Sequence, residues 1–242
     1  MTTDSRIEQQ RHALLWRIHQ RFATVTQTVR FAEDVAFPFT RVADPDRVLD
    51  EVAAEEDRRE RLGGERHEDP LHLPYWAELW DSAGGIAQHL VKERATMSGG
   101  ARVLDLGCGQ GLAGCVAAAL GAHVLFADLE PPALLFAQLN SLPFAGRART
   151  RRLNWQRDRL DESFDLIVGA DILYERKQWE FLELFWRAHL APGGHVLLGE
   201  PGRQTGDLFV EWIAMRGWWL ERFQEPVPTR DKPIRIFQLT MR

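Results

Sequence analysis

The stretch VLDLGCGQG, residues 103–111, decides the fold class, because a short apolar strand runs directly into a glycine-rich turn and then a helix of small residues. Gly107 and Gly109 allow the backbone to turn sharply and to approach a bound molecule closely. The spacing G-x-G-x-G differs from the dinucleotide pattern G-x-G-x-x-G, and no lysine follows the turn as it does in a phosphate-binding loop. A tight strand-to-helix connection without a ligand is the simpler interpretation and stays open at this point.

A carboxylate at the end of the next strand favours a ligand at this turn. The strand AHVLFAD ends at Asp128, and the first strand carries Asp105 just before the glycines. A carboxylate at the end of the second strand accepts hydrogen bonds from the ribose hydroxyls in nucleotide-binding α/β proteins. Turn and acid together therefore predict a nucleotide-like cofactor at the carboxyl ends of the strands.

Strands and helices alternate from about residue 75 to the end of the chain. Beyond the first two strands, the pattern predicts a weak strand over 150–154, strands over 164–171 and 195–200, a helix over 177–190 closed by Pro192-Gly193-Gly194, and a hairpin over 218–240. Such alternation is typical of a doubly wound, mostly parallel sheet. Open sheets of this class bind ligands at the carboxyl ends of their strands.

The first 74 residues lack the alternation of strands and helices and are therefore predicted to form an extension. The predicted elements of this extension are a helix over 6–21, a hairpin over 26–42, a charged helix over 44–62 and a loop over 63–74. We therefore expect an N-terminal helical and hairpin extension over 1–74 and a main domain over 75–242.

Composition narrows the class of protein. With 45% hydrophobic and 27% charged residues, the chain is typical of a soluble globular protein. We find no apolar run near the roughly 20 residues that a membrane helix needs, so we expect a cytoplasmic protein without a membrane partner. We also expect a monomer. The net charge of −5 predicts no general attraction to nucleic acid. Cys108 and Cys115 lack metal-ligand spacing, so we expect reduced thiols and no metal.

A family resemblance now adds to this interpretation. VLDLGCGQG together with FADLEPPALLFAQLN, residues 126–140, resembles the first two motifs of class I S-adenosylmethionine-dependent methyltransferases. The resemblance covers about residues 75–240 and implies a Rossmann-like sheet of seven strands with S-adenosyl-L-methionine as cofactor. In that family the glycine loop lies under the methionine and ribose, and the acid matching Asp128 holds the ribose hydroxyls. The implied cofactor contacts here are Asp105, Gly107, Cys108, Gly109, Asp128 and Leu129.

Three further stretches resemble the seven-β-strand protein methyltransferases of family 16, most of which methylate lysine. ELWDSAGGIAQHL (78–90) precedes the first strand, LNW (153–155) follows the third, and GADILY (169–174) ends the fourth. That family carries a tryptophan at each of the first two places and an Asp-x-x-Tyr motif at the last. The segments 73–85 and 199–203 look closest to the branch acting on the electron-transfer flavoprotein β-subunit. The resemblance implies further cofactor contacts from Trp80, Asn154, Trp155 and Ala170.

Asp171 and Tyr174 are the implied catalytic residues. In this reaction class a neutral amine attacks the methyl group in line, without a metal. Asp171 would orient the amine by a charge-assisted hydrogen bond, and Tyr174 would line an aromatic channel for the lysine stem with a cation–π component. The alternative is that Asp171 only caps the next helix and Tyr174 only packs.

The substrate class stays open between several candidates. A protein presenting a lysine is the main expectation, and methylation of a small amine is the first alternative. A cofactor-binding partner subunit without catalysis is the second alternative. Nucleic-acid methylation is disfavoured, because ADILY stands after the fourth strand where an Asn/Asp-Pro-Pro-aromatic motif would act on adenine amines.

Overall fold

Nine strands and seven α-helices are present in the computed structural model, which describes residues 3–62, 73–97 and 99–241. In chain order they are α1 (Thr3–His19), β1 (Thr24–Arg30), β2 (Ala36–Val42), α2 (Pro45–Arg61), α3 (Asp81–Lys92), β3 (Arg102–Leu106), α4 (Leu112–Ala119), β4 (His123–Asp128), α5 (Pro131–Asn140), β5 (Ala148–Arg152), β6 (Phe164–Ala170), α6 (Trp179–His189), β7 (Leu190–Glu200), α7 (Gln204–Ala214), β8 (Trp218–Glu225) and β9 (Ile234–Met241). Among these described residues, no helix has the length and apolar character to cross a bilayer.

The predicted seven-stranded, doubly wound sheet is confirmed, with strand order β5-β4-β3-β6-β7-β9-β8. The first five strands in this order run parallel, and β9 pairs antiparallel with both neighbours, which confirms the closing hairpin. After β5 the chain returns to the other side of β3 to form β6. Ligands in such sheets bind at this reversal point, beyond the carboxyl ends of the central strands.

The start of β7 differs from the sequence expectation. The helix α6 ends at His189, before the predicted Pro192-Gly193-Gly194 stop, and the strand begins at Leu190. Leu190 already pairs with Phe164, and the register then shifts before Leu166 pairs with His195. The proline and glycines therefore form an irregularity inside a strand, because the chain joins the sheet before it passes them.

The N-terminal hairpin is confirmed as β1 and β2, and two side-chain amides bond β2 to the rest of the chain, one from the end of α5 and one from the glycine-rich turn. Thr40 N–H donates to Asn140 Oδ1 at 2.7 Å, and Asn140 Nδ2 donates to Thr40 O at 2.9 Å. Val42 N–H donates to Gln110 Oε1 at 2.9 Å, and Gln110 Nε2 donates to Ala77 O at 2.8 Å. Gln110 belongs to the glycine-rich turn, so the hairpin is bonded directly to that turn.

Apolar packing also joins the extension to the rest of the chain. Phe37 and Phe39 of β2 belong to the same buried cluster as Ile86 of α3. Ile18 of α1 is fully buried in a second cluster with Phe136. The division at residues 74 and 75 stays a prediction, and residues 63–72 of the predicted loop lie outside the described ranges.

Asn140→Leu is expected to lower the free energy of unfolding by about 1–3 kcal/mol, because it leaves the buried N–H and C=O of Thr40 without partners. The measurement is chemical denaturation of the purified protein. Gln138→Leu is the matched control on the same helix, since Gln138 has one half-buried bond to the Thr150 hydroxyl. An equal loss in both variants would contradict a special role for Asn140.

Candidate functional site

The predicted site residues lie in the loops that follow β3 to β6, at the carboxyl ends of these strands, and just before α3. They form two groups. A glycine-loop group contains Gly107, Gly109, Asp128 and Trp155. A second group contains Trp80, Asp171 and Tyr174, and the structure adds Tyr75 and Arg203 to it.

The glycine loop folds back onto the end of β4. Gly107 N–H and Cys108 N–H both donate to Ala127 O, at 2.8 and 3.0 Å. Gly107 has a φ of 67° and Gly109 a φ of 51°, in the left-handed region that favours glycine. A Cβ at Gly107 would lie 3.0 Å from Ile172 Cγ2 and 3.6 Å from the Trp155 ring. The missing side chain therefore leaves a shallow cradle bordered by that ring.

Asp128 is buried at the end of β4 and is held by backbone donors. Gly109 N–H donates to Oδ2 at 2.8 Å, and Glu130 N–H donates to Oδ1 at 2.9 Å. Burial raises the pKa of this carboxyl to about 6, although the two N–H groups lower it. Each carboxylate oxygen has more than one acceptor site, so both can still accept a hydroxyl.

Asp105 lies deeper in the fold than the other predicted residues. Its Oδ2 accepts the Gly114 N–H of α4 at 2.9 Å, and burial raises the pKa of the carboxyl to about 7. A Cβ at Gly114 would lie 2.7 Å from this carboxylate, so α4 needs glycine to come so close. The bond from Gly114 to Asp105 fixes α4 on β3. A contact of Asp105 with the cofactor stays a prediction.

The loop after β5 is shaped by polar side chains. Gln156 N–H donates to Asn154 Oδ1 at 2.9 Å, which is the geometry of an Asx turn. Trp155 Nε1 donates to Gln178 Oε1 at 3.1 Å, so the half-buried indole is anchored by its polar edge, and its Cζ3 atom lies near Gly107.

The remaining predicted contacts surround this loop. Burial raises the pKa of the Cys108 thiol well above its usual range, so the thiol is neutral. Leu129 O accepts Arg152 Nε at 3.0 Å, and Ala170 ends β6 opposite Gly199. Their roles as cofactor contacts stay predictions.

Asp171 has an unusual backbone directly after β6. Its φ of 59° makes it the one non-glycine residue with a positive φ among the described residues. Its N–H donates to Gly199 O at 3.0 Å, which fixes the strained turn to β7. Aspartate tolerates this conformation better than most residues do, and strained backbone of this kind concentrates at functional sites.

The Asp171 carboxylate is buried and faces Arg203. The guanidinium of Arg203 forms an ion pair with Asp171 Oδ1. Burial raises the pKa of Asp171, while the Ser82 hydroxyl and Arg203 act in the opposite direction. Glu175 and Gln178 occupy the N-caps of the next 3-10 turn and of α6. The helix-cap alternative for Asp171 is therefore wrong.

Three aromatic side chains, Tyr75, Trp80 and Tyr174, contact one another in series, and we call them the aromatic rim. The Tyr75 and Tyr174 rings contact edge to face at a centroid distance of 5.3 Å, and Tyr75 lies 6.2 Å from Trp80. Tyr174 is 40% exposed and Tyr75 is 44% exposed. Burial raises the pKa of the Tyr174 hydroxyl to about 12, so it stays protonated. The rim is accessible from solvent.

Sequence reasoning missed Arg203 and Tyr75. The guanidinium carbon of Arg203 lies 5.5 Å from the centre of the Trp80 ring, besides its contact with Asp171. Trp80 thus lies against Arg203 and Tyr75, whereas the family motif implied a cofactor contact for it, which stays a prediction. Its position could have indicated a role in the site, because Arg203 follows the carboxyl end of β7, where ligands bind in this class of sheet.

The arrangement fits an adenosine-type cofactor on one side and a cationic or amine group on the other. The cradle at Gly107, the remaining acceptor sites of Asp128 and the half-buried ring of Trp155 suit a nucleoside. The buried carboxylate of Asp171 and the aromatic rim, which Arg203 connects, suit a group that carries positive charge. Across the described ranges, no cluster of three His, Cys, Asp or Glu side chains could hold a metal ion.

Comparison with known proteins finds a matching family and related proteins. A family profile described as lysine methyltransferase matches residues 75–211. Protein N-lysine methyltransferase METTL21A of Danio rerio is 38% identical over 141 residues, which cover 54% of this chain and 62% of that protein. The electron transfer flavoprotein beta subunit lysine methyltransferase of Xenopus laevis is 33% identical over 144 residues, which cover 55% of each chain. The chain thus spans little more than half the length of these relatives.

Solved structures share the fold at low sequence identity. The glycopeptide N-methyltransferase MtfA complexed with sinefungin superposes with a TM-score of 0.58 at 15% identity. The match covers 72% of this chain and 100% of that chain. This likeness supports the sheet topology alone.

Proposed function

The chain belongs to the lysine methyltransferase family matched by its residues 75–211, and we propose that it transfers a methyl group from S-adenosyl-L-methionine to a lysine side chain of a protein. One observation carries this proposal. The buried carboxylate of Asp171 pairs with Arg203, which lies over Trp80 of the partly exposed aromatic rim, at the carboxyl edge of the sheet that also holds the glycine loop and Asp128.

The glycine-loop group would hold the cofactor. Asp128 would accept the ribose hydroxyls, and Trp155 would flank the adenine where Gly107 leaves room. When bound, the cofactor supplies an electrophilic methyl group on a sulfonium centre. The protein contributes alignment and exclusion of water rather than covalent chemistry.

Asp171 would receive the acceptor amine. A lysine ammonium has a pKa near 10.4 in water and must lose a proton to solvent before its lone pair can attack. The ionised carboxylate would accept a charge-assisted hydrogen bond from the nitrogen and so fix the direction of the lone pair. The Asp-x-x-Tyr spacing brings the Tyr174 ring to the entrance of the same position.

The aromatic rim would hold the lysine stem. Both Tyr75 and Tyr174 are partly exposed, so their rings would be available to contact a four-carbon chain. A cation over an aromatic face gains about 0.5–2 kcal/mol, so the rim favours the charged amine before it loses its proton. The two relatives named above are both described as acting on lysine in proteins, which supports a protein acceptor here.

Labelling with isotopic methyl tests this proposal. The protein is incubated with methyl-labelled S-adenosyl-L-methionine and a lysate, and the label is located by mass spectrometry. Label on protein lysine is the expected result. Label in small amines would indicate the small-molecule alternative, and bound cofactor without transfer would indicate a partner subunit. Asp171→Asn protein serves as the control for contaminating transferases.

The proposal also includes the protein's state in the cell. From the composition we propose a monomer in the cytoplasm that acts on a protein without nucleic acid or membrane partners. Size-exclusion chromatography with light scattering measures the oligomeric state.

Tyr174→Phe is expected to retain turnover within about threefold, and Tyr174→Ala to lower it about tenfold. The ring contacts Tyr75 and would supply the cation–π energy, which phenylalanine largely keeps. Initial rates on the identified acceptor give the measurement. Phe181→Ala is the control, because Phe181 is an aromatic of α6 with a similar exposure of 42%. A large loss in Tyr174→Phe would instead assign the role to the hydroxyl.

A further inference from the structure

Arg203 contacts two members of the acceptor side of the site at once. Its guanidinium forms an ion pair with the buried carboxylate of Asp171 and lies 5.5 Å from the centre of the Trp80 ring. The Arg203 side chain is 35% exposed, whereas that of Asp171 is 5% exposed. The ion pair therefore joins the buried Asp171 carboxylate to a partly exposed guanidinium, which also lies over the Trp80 ring.

The backbone around Arg203 is fixed by a second buried carboxylate. Glu200 accepts the Gly202 N–H at 2.8 Å and the Arg203 N–H at 2.5 Å. Arg235 Nε donates to Glu200 at 2.6 Å, and Arg235 Nη2 donates to Arg203 O at 2.9 Å. A Cβ at Gly206 would lie 2.6 Å from Glu200 Cδ, so the loop is closely packed around this carboxylate. Such packing fixes the backbone from which the Arg203 side chain extends.

We propose that Arg203 is a positioning residue that keeps the Asp171 carboxylate ionised and aimed at the acceptor amine. This inference rests on the proposed function, because it assigns to Arg203 a part in the methyl transfer. Arg203 itself would act through Asp171 rather than on the reacting atoms.

The charges around Asp171 give the physical reason. Burial raises the pKa of the carboxyl, Glu200 raises it further, and the Ser82 hydroxyl of α3 and Arg203 lower it. Loss of Arg203 would remove the opposing cation and leave the buried acid and Glu200 nearby. A larger fraction of Asp171 would then carry a proton near neutral pH, and a neutral acid forms no charge-assisted acceptor bond with an ammonium.

The first measurement compares turnover of Arg203→Met with that of the parent protein from pH 6 to pH 10. The ratio of the two rates is used, because deprotonation of the acceptor lysine affects both proteins equally. We expect a deficit of about tenfold at pH 7 that shrinks toward pH 10, where Asp171 is ionised in both. Arg203→Lys keeps a cation and is expected to restore most of the rate at pH 7.

Arg230→Met is the matched control. Arg230 Nη2 donates to Pro201 O at 2.8 Å, so it supports the same loop without an ion pair to Asp171. We expect a small loss of turnover in this variant that does not change with pH. A deficit of Arg203→Met that is equally independent of pH would overturn the proposal and leave Arg203 with a structural role only.

The second measurement needs no turnover and no cofactor. Titration of the Asp171 carboxyl carbon by NMR is expected to give a higher pKa in Arg203→Met than in the parent protein, and a nearly unchanged pKa in Arg203→Lys. An unchanged pKa in a folded Arg203→Met protein that still methylates lysine overturns the role of Arg203 alone. A raised pKa in Arg203→Met, together with a parent protein that methylates no lysine, contradicts the proposed function and leaves the electrostatic coupling intact.

Discussion

Asp171→Asn is expected to turn over substrate about 100-fold more slowly than the parent protein, with an affinity for S-adenosyl-L-methionine that changes less than about twofold. A loss of this size corresponds to one misplaced positioning contact at a reacting centre. The cofactor affinity should survive, because the glycine loop and Asp128 lie after different strands and make no described contact with Asp171.

The substitution isolates the charge of Asp171. Asparagine also tolerates a φ of 59°, so the turn after β6 can keep its shape. The amide has no negative charge for an ammonium, and it leaves the Arg203 guanidinium without its counter-ion. Single-turnover rates with saturating cofactor measure the loss, and calorimetry measures the cofactor affinity.

Asp165→Asn is the control for this variant. Asp165 lies on the same strand β6, pairs with Arg102 and is at the opposite end of the sheet. Its turnover should stay within about twofold of the parent value. Full activity in Asp171→Asn with normal cofactor binding would contradict the assigned role and leave the amine-binding residue to be found.

Asp128→Asn is expected to weaken binding of S-adenosyl-L-methionine by about 10- to 100-fold. Hydrogen bonds to a charged group contribute about 1.5–3 kcal/mol, and each 1.4 kcal/mol is tenfold in affinity. One carboxylate oxygen becomes an NH2 group, which would face the N–H of Gly109 or of Glu130. Calorimetry at pH 8 measures the change, with Asp165→Asn as a control that also accepts a backbone N–H.

The same carboxylate predicts the pH dependence of cofactor binding. Because burial raises the pKa of Asp128 to about 6, the group is ionised above that pH and gains a proton as the pH falls through it. The protonated acid is a weaker acceptor for ribose hydroxyls, so affinity should fall below pH 6. In Asp128→Asn this fall should vanish. A parent affinity that stays flat from pH 8 to pH 5 would remove Asp128 from the ribose position.

The local parts of the fold could be predicted because their signals are local. Alternation of apolar residues gave β1 and β2, and the glycine turn between two apolar strands gave β3, α4 and β4 in their order. The start of β7 could not be placed, because Pro192 and the two glycines are strong local stop signals. Pairing of Leu190 with Phe164, a contact between distant residues, outweighs them.

The acceptor side of the site was predictable only as separate residues. The Asp-x-x-Tyr motif gave Asp171 and Tyr174, but the contacts of Arg203 with Asp171 and Trp80 join three loops that lie far apart in the sequence. Sheet order brings those loops together, and no spacing in the chain encodes that order. The bonds from the hairpin to Gln110 and Asn140 could not be predicted for the same reason, because they join residues far apart in the sequence.

The attachment of β2 also protects the protein from aggregation. Thr40 and Val42 direct their N–H groups away from β1, into the side chains of Asn140 and Gln110. Pro38 lies two residues before Thr40, at the next outward position, and has no N–H group at all. A foreign strand that approached this edge would find no free N–H donor at any of these three positions. The two-stranded sheet therefore resists edge-to-edge association on this side without a row of charged residues.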